Sequence, residues 1–186
     1  MKKFYLALLS LAFLLTGCNS AKGAMNQAIS LRDKILYGNG CSFQAIINAD
    51  YGENIYTFSV DCCTDCEGNL TFTITGPNSI SGLTGKVKTT GGEILFDDRV
   101  LAFHSMAEDQ ITPVSAPWVF MKALRSGYIA SCSTEDTITE VTIDDSYAQD
   151  ALRMQIRLKE EKPVSAEIFW QGRRILMLTI ENFTFL

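Results

Sequence analysis

From Cys41 onward the apolar residues recur at every second position, and this alternation commits most of the chain to antiparallel sheet. Phe43, Ala45 and Ile47 alternate with Ser42, Gln44 and Asn48. Tyr56, Phe58, Val60 and Cys62 alternate with Thr57, Ser59 and Asp61, and Leu70, Phe72 and Ile74 with Thr71, Thr73 and Thr75. A strand with one buried and one wet face reads this way, because successive side chains point to opposite sides of the sheet. Further strands are predicted over Ile80–Val87, Glu93–Phe96, Arg99–His104, Tyr128–Ser133, Ile138–Ile143, Ala151–Leu158, Val164–Trp170 and Arg173–Phe185. Gly82 and Gly85 mark a bend or bulge in the first of these. Asp97-Asp98 and Gln171-Gly172 read as tight hairpin turns.

Two segments break the period of two. Between Ala24 and Tyr37, Met25, Ala28, Ile29, Arg32, Ile35 and Leu36 fall at spacings of three and four, a helical stripe that Gly38-Asn39-Gly40 ends. Around Trp118-Val119-Phe120-Met121 and Ala123-Leu124 almost no polar face remains. Pro117 suits a first helical turn, Thr112 or Ser115 could cap it, and Gly127 stops it. A helix this apolar has to be covered on most sides. The predicted class is mainly β with two helices (α+β): about eleven antiparallel strands in one domain over residues 24–186.

The first residues are an address. Met1-Lys2-Lys3 is basic, and Phe4–Leu15 is apolar apart from Ser10. Twelve helical residues span about 18 Å, short of a hydrocarbon core of about 30 Å. Residues 1–17 therefore read as a signal peptide. Leu15-Thr16-Gly17-Cys18 resembles the bacterial lipobox, which implies a diacylglyceryl group on the Cys18 thiol and cleavage before it. Cleavage removes Lys2 and Lys3 and takes the net charge from −5 to −7. Residues 18–23 would form a lipid-anchored tether. The expected location is extracytoplasmic, at the outer face of the plasma membrane or at an outer membrane. An acidic chain offers no basic footprint for nucleic acid.

The element order resembles the LolA/LolB lipoprotein-carrier superfamily, over roughly residues 24–186. So does the texture of Gly91-Gly92-Glu93-Ile94-Leu95-Phe96-Asp97-Asp98 before the apolar helix. Small lipoproteins of spore-forming Clostridia, a germination lipoprotein among them, are similar in their cysteine-bearing texture. The resemblance implies a curved, incompletely closed half-barrel with helices on its concave face. It also implies an apolar ligand or lipid held there, or a partner protein. Phe58, Phe72, Trp118, Met121 and Leu124 are the apolar residues expected to face such a ligand. The alternative is a non-catalytic envelope scaffold that binds a partner such as a cell-wall or germination enzyme.

Enzyme templates find little to use, and no catalysis, cofactor or metal is expected. His104 is the one histidine, and no Gly-x-Ser-x-Gly elbow accompanies it. The carboxylate pairs Asp97-Asp98, Asp144-Asp145 and Glu135-Asp136 fall at turns, where aspartates serve the backbone. The cysteines are more specific. Cys63-Thr64-Asp65-Cys66 is a CxxC in a predicted β-turn rather than at a helix start. Zinc on Cys62, Cys63, Cys66 and Cys132 would want a second CxxC, which is missing. Centring the first hairpin on Tyr51-Gly52 sets Ile47 opposite Tyr56, Ala45 opposite Phe58, Phe43 opposite Val60 and Cys41 opposite Cys62. Opposite residues lie within disulfide reach. The same reasoning pairs Val60 with Phe72 and turns Cys63 to the other face, free to join Cys66. The competing pair, Cys41 with Cys63, needs a bulge.

Overall fold

The computed structural model describes residues 18–88, 106–108 and 111–186. The signal segment, the strands predicted over Glu93–Phe96 and Arg99–His104, the Asp97-Asp98 turn and His104 lie outside the described residues.

All nine strands predicted elsewhere are present: β1 (Cys41–Asp50), β2 (Ile55–Thr64), β3 (Leu70–Gly76), β4 (Thr84–Val87), β5 (Tyr128–Glu135), β6 (Ile138–Asp144), β7 (Arg153–Lys159), β8 (Lys162–Trp170) and β9 (Arg173–Phe185). They form one antiparallel sheet in the order β4-β3-β2-β1-β9-β8-β7-β6-β5. The last strand pairs with the first, joining two meanders into a single surface. The sheet is not closed: β4 and β5 are its edges. The alternation has the expected effect. Cys41, Phe43, Ala45, Ile47 and Ala49 of β1 are all buried, as are Met154, Ile156 and Leu158 of β7, while Arg153, Arg157 and Lys159 face water. Gln171 and Gly172 both have positive φ (49° and 79°), the type I′ conformation that suits a two-residue hairpin.

Helix α1 runs over Cys18–Tyr37, so its backbone begins well before the apolar stripe at Ala24. It packs along β5 and β6, with Ala24, Ala28, Leu31 and Ile35 buried. A 3₁₀ turn at Pro113–Ser115 leads into helix α2 (Ala116–Ser126), whose C-cap is Gly127. Ser115 Oγ donates to Thr112 O (2.8 Å) and accepts from Thr112 N (3.2 Å), fixing the approach to α2. Phe120 of α2 meets Phe43 of β1 edge-on at 5.7 Å, and Phe43 stacks on Phe183 of β9 at 5.8 Å. Both helices thus cover the apolar face of the sheet.

The register of the first hairpins corrects the sequence reading. Ala45 pairs with Val60 and Ile47 with Phe58, so Cys41 lies opposite Thr64, not Cys62. The connecting loop is the four residues Tyr51-Gly52-Glu53-Asn54, closed by Tyr51 N to Asn54 O (3.0 Å) and by Gly52 N to Asp50 Oδ1 (2.7 Å). The hairpin is therefore centred one residue later than Tyr51-Gly52, and every partner moves by two. A two-residue shift keeps each side chain on its face. The displacement carries into the next hairpin, where Val60 pairs with Ile74 and Cys62 with Phe72.

Candidate functional site

The two helices hold each other by their C-terminal ends. Arg32 of α1 donates through Nε to Leu124 O (2.7 Å) and through Nη2 to Gly127 O (2.7 Å), with a longer contact to Ala123 O (3.4 Å). In return Arg125 of α2 donates through Nη1 to Ile35 O (3.2 Å), near the end of α1. The last carbonyls of a helix lack intrahelical donors and carry partial negative charge, so a guanidinium satisfies both deficits. Burial lowers the Arg32 pKa, an effect opposed by Asp33 and Cys132 nearby.

Directly beneath this clasp the described residues are closely packed. The void bounded by α1, α2, β6 and β7, against Leu31, Leu124, Ile143 and Ile156, has a volume of about 10 Å³. That is no more than about one water probe sphere. Among the five residues expected to face a ligand, Phe58, Phe72, Met121 and Leu124 are buried in packed core. Trp118 packs against the same core but is only partly buried.

Trp118 opens instead onto a groove of about 340 Å³ on the outer flank of α2. One wall is α2 itself, with Trp118, Val119 and Lys122. The other is the base of the β6–β7 loop, with Asp145 and Leu152, and Ile111 closes one end. The loop base is fixed by two hydrogen bonds, Asp145 N to Leu152 O (3.0 Å) and Leu152 N to Asp145 Oδ1 (2.9 Å). The volume lies within the range of about 300–1,000 Å³ typical of small-ligand sites. Its lining is aromatic and aliphatic at Trp118, Val119 and Leu152 and polar at Thr112, Ser115 and Ser126, with the exposed Lys122 ammonium and the Asp145 carboxylate, whose Oδ1 accepts from Leu152 N. The sequence reading took α2 as apolar all round and so missed this side of it. The signal available was Lys122, the one charge between Trp118 and Leu124, which marks where the helix faces water.

The cysteines fall into three environments. Cys41 and Cys62 are buried, Cys63 and Cys66 are exposed and Cys132 is intermediate, and none of these five is bridged. Cys63 does point to the opposite face from Cys62, as read from the sequence. Burial pushes the Cys41 and Cys62 thiols up. Thr64 joins Cys41 from across the ladder: its Oγ1 accepts from Cys41 N (2.9 Å) and lies 3.3 Å from Cys41 Sγ. Beside this pair, Gly40 has a φ of 113°, and a Cβ there would lie 2.0 Å from Thr64 O, so only glycine fits. Cys132 donates weakly to Met25 Sδ of α1 at 4.0 Å. Among the described residues, no three His, Cys, Asp or Glu side chains are placed to hold a metal ion.

Comparison with family models gives no match, and comparison with curated protein sequences gives none. Among solved structures the chain is similar to MucB, with 10% identity and a TM-score of 0.48, over 90% of this chain and 59% of that one. It is similar to a LolA superfamily protein from Nitrosomonas europaea, with 10% identity and a TM-score of 0.40, over 89% of this chain and 93% of that one. It is also similar to a DUF1329 family protein from Desulfovibrio piger, with 8% identity and a TM-score of 0.41, over 89% and 93%. Likenesses at this distance leave function to the chemistry of the site.

Proposed function

We propose that this chain is a non-catalytic, extracytoplasmic binding protein, held to a bacterial membrane by lipid on Cys18. Its ligand is a small amphiphile with an apolar tail and an anionic head. The observation that carries the reading is the groove beside α2. Trp118, Val119 and Leu152 would take the tail, and Lys122 would meet the head. The anchor rests on Leu15-Thr16-Gly17-Cys18 behind a short apolar stretch. Among the described residues no helix is long and apolar enough to cross a membrane. The seat is on the flank of α2 rather than under the helices, where about 10 Å³ remains.

The test uses Trp118 as its own probe, since the chain has two tryptophans. In a Trp170→Phe variant, dodecanoate added below its micelle concentration should shift Trp118 emission to the blue and saturate. Lys122→Glu should weaken this binding about tenfold, equivalent to about 1.4 kcal/mol. An unchanged spectrum across the titration refutes the groove as an amphiphile site. Separately, Cys18→Ala should abolish incorporation of labelled palmitate and release the protein from membranes; retained label would refute the anchor.

A second reading, an envelope scaffold that binds a partner protein such as a cell-wall or germination enzyme, draws support from the close packing of the two helices on β6 and β7. Stoichiometric recovery of an envelope enzyme, with no response to dodecanoate, would favour it.

A further inference from the structure

A second groove lies on the far side of the β6–β7 loop, and its chemistry is unlike that beside α2. It has a volume of about 570 Å³ and opens on the water-facing side of the sheet. Its floor includes Arg153 and Gln155 of β7 and Phe169 of β8, where Arg153 and Phe169 are direct cross-strand partners. Its walls are the loop carrying Tyr147 and Gln149 and the turn carrying Gln171.

Three properties define what would fit. First, the groove presents aromatic surface to water. Tyr147 is 84% exposed, yet its ring is held, resting on Tyr128 with centroids 3.9 Å apart. The loop that carries it is ordered by Ala148 N to Ser146 Oγ (3.3 Å) and Ala151 N to Ala148 O (3.2 Å). Second, the charges on the floor are already matched. Arg153 donates through Nε and Nη2 to the two carboxylate oxygens of Asp144, at 2.8 and 2.9 Å. The charge of Arg153 is thus largely offset by Asp144, which weakens its pull on an anionic ligand. Third, the amides of Gln149, Gln155 and Gln171 make no internal hydrogen bond among the described residues. Each therefore offers both a carbonyl acceptor and an NH₂ donor.

From this combination we infer that the groove binds a neutral glycan. Hydroxyl and acetamido groups both donate and accept, matching the three amides. The C–H faces of pyranose rings are the apolar surfaces that lie against aromatic rings such as the exposed Tyr147 and the half-buried Phe169. Nucleotides and other polyanions are disfavoured by the closed Arg153–Asp144 pair and by the acidic balance of the chain, net −5. A glycan site on a membrane-held protein would place it between the bilayer and an envelope polysaccharide, without any need for catalysis.

The test is NMR titration of the purified, ¹⁵N-labelled protein with tetra-N-acetylchitotetraose, cellotetraose and maltotetraose, each to about 10 mM, enough to see a millimolar dissociation constant. At least one should give saturable shifts confined to residues of the 146–151 loop, β7 and the β8–β9 turn. Tyr147→Ala and Gln155→Ala, both outside the core, should each weaken that binding tenfold or more. Lys122→Glu, in the other groove, should leave it unchanged, so failure here is separable from failure of the amphiphile reading. No shift with any neutral tetramer, shifts that survive Tyr147→Ala, or a response only to polyanions such as polyphosphate would overturn the inference.

Discussion

Replacing Arg32 should be among the most damaging changes outside the apolar core. Its guanidinium makes two 2.7 Å hydrogen bonds to the carbonyls of Leu124 and Gly127, with Ala123 O at 3.4 Å. A hydrogen bond involving a charged group is worth about 1.5–3 kcal/mol net, so the two short ones together give about 3–6 kcal/mol. Against this stand the entropy of an ordered arginine, up to about 2 kcal/mol, and the cost of burial that lowers its pKa. In the Arg32→Ala variant, water would reach some of the vacated carbonyls. The expected loss is about 2–4 kcal/mol. For a domain of this size each kcal/mol moves Tm by about 2–4 °C, so a fall of about 4–16 °C is expected. Arg32→Lys should recover less than half, because one ammonium cannot span carbonyls from two positions of the helix end. Urea unfolding followed by tryptophan emission measures this directly, with the midpoint shifting and the slope unchanged. A loss below about 0.5 kcal/mol for Arg32→Ala would show that the clasp is incidental and that α1 and α2 are held by apolar packing alone.

The remaining predictions concern single contacts. With iodoacetamide at pH 8, Cys63 and Cys66 should react within minutes and Cys41 and Cys62 only on unfolding, as read by peptide mass mapping; equal rates would contradict the burial of β1 and β2. Gly85→Ala would place a Cβ 2.3 Å from Phe72 Cζ and should cost about 1–3 kcal/mol in urea unfolding, part of which Phe72→Leu should restore. Glu161→Gln removes an exposed pair with Lys34 and should cost less than about 1 kcal/mol, vanishing in high salt. Lys34 holds the Glu161 carboxyl below its ordinary value. Its contribution is therefore full above the unfolded pKa of about 4.3 and is lost as pH falls through the folded value. Wild type and Glu161→Gln should thus converge in urea midpoint as the pH is lowered below the ordinary carboxylate range.

The strands were legible because their signal is local. Alternation in β1 or β7 is visible within seven to ten residues, and it predicts both the element and the face. Register was less legible because it depends on where the turn is centred. Tyr51-Gly52 looks like a two-residue turn, but Asp50 caps Gly52 and extends the loop to Asn54. Parity protects the faces from such an error and leaves the partners unprotected, so Cys62 was correctly placed inside while its partner was not. The helix clasp had no sequence signature at all. Arg32 and Arg125 lie more than ninety residues apart, and each acts on backbone carbonyls that any sequence would supply.

The grooves were illegible for a related reason. Both are formed by the β6–β7 loop, which carries Asp145 and Leu152 toward α2 on one side and Tyr147 and Gln149 toward β7 and β8 on the other. The strands alone do not supply such surfaces: they give at most a floor, as Arg153, Gln155 and Phe169 do under the second groove. Nor do the helices alone, because α1 and the inner side of α2 are consumed in covering the sheet. Concave surface then arises where an irregular segment rises beside a regular one, and binding residues gather on loops held by a rigid scaffold. Here the loop is held at both levels, by Asp145 with Leu152 at its base and by Tyr147 on Tyr128 near its tip. Among the described residues, the two grooves lie outside the packing of the helices on the sheet, on either side of that loop.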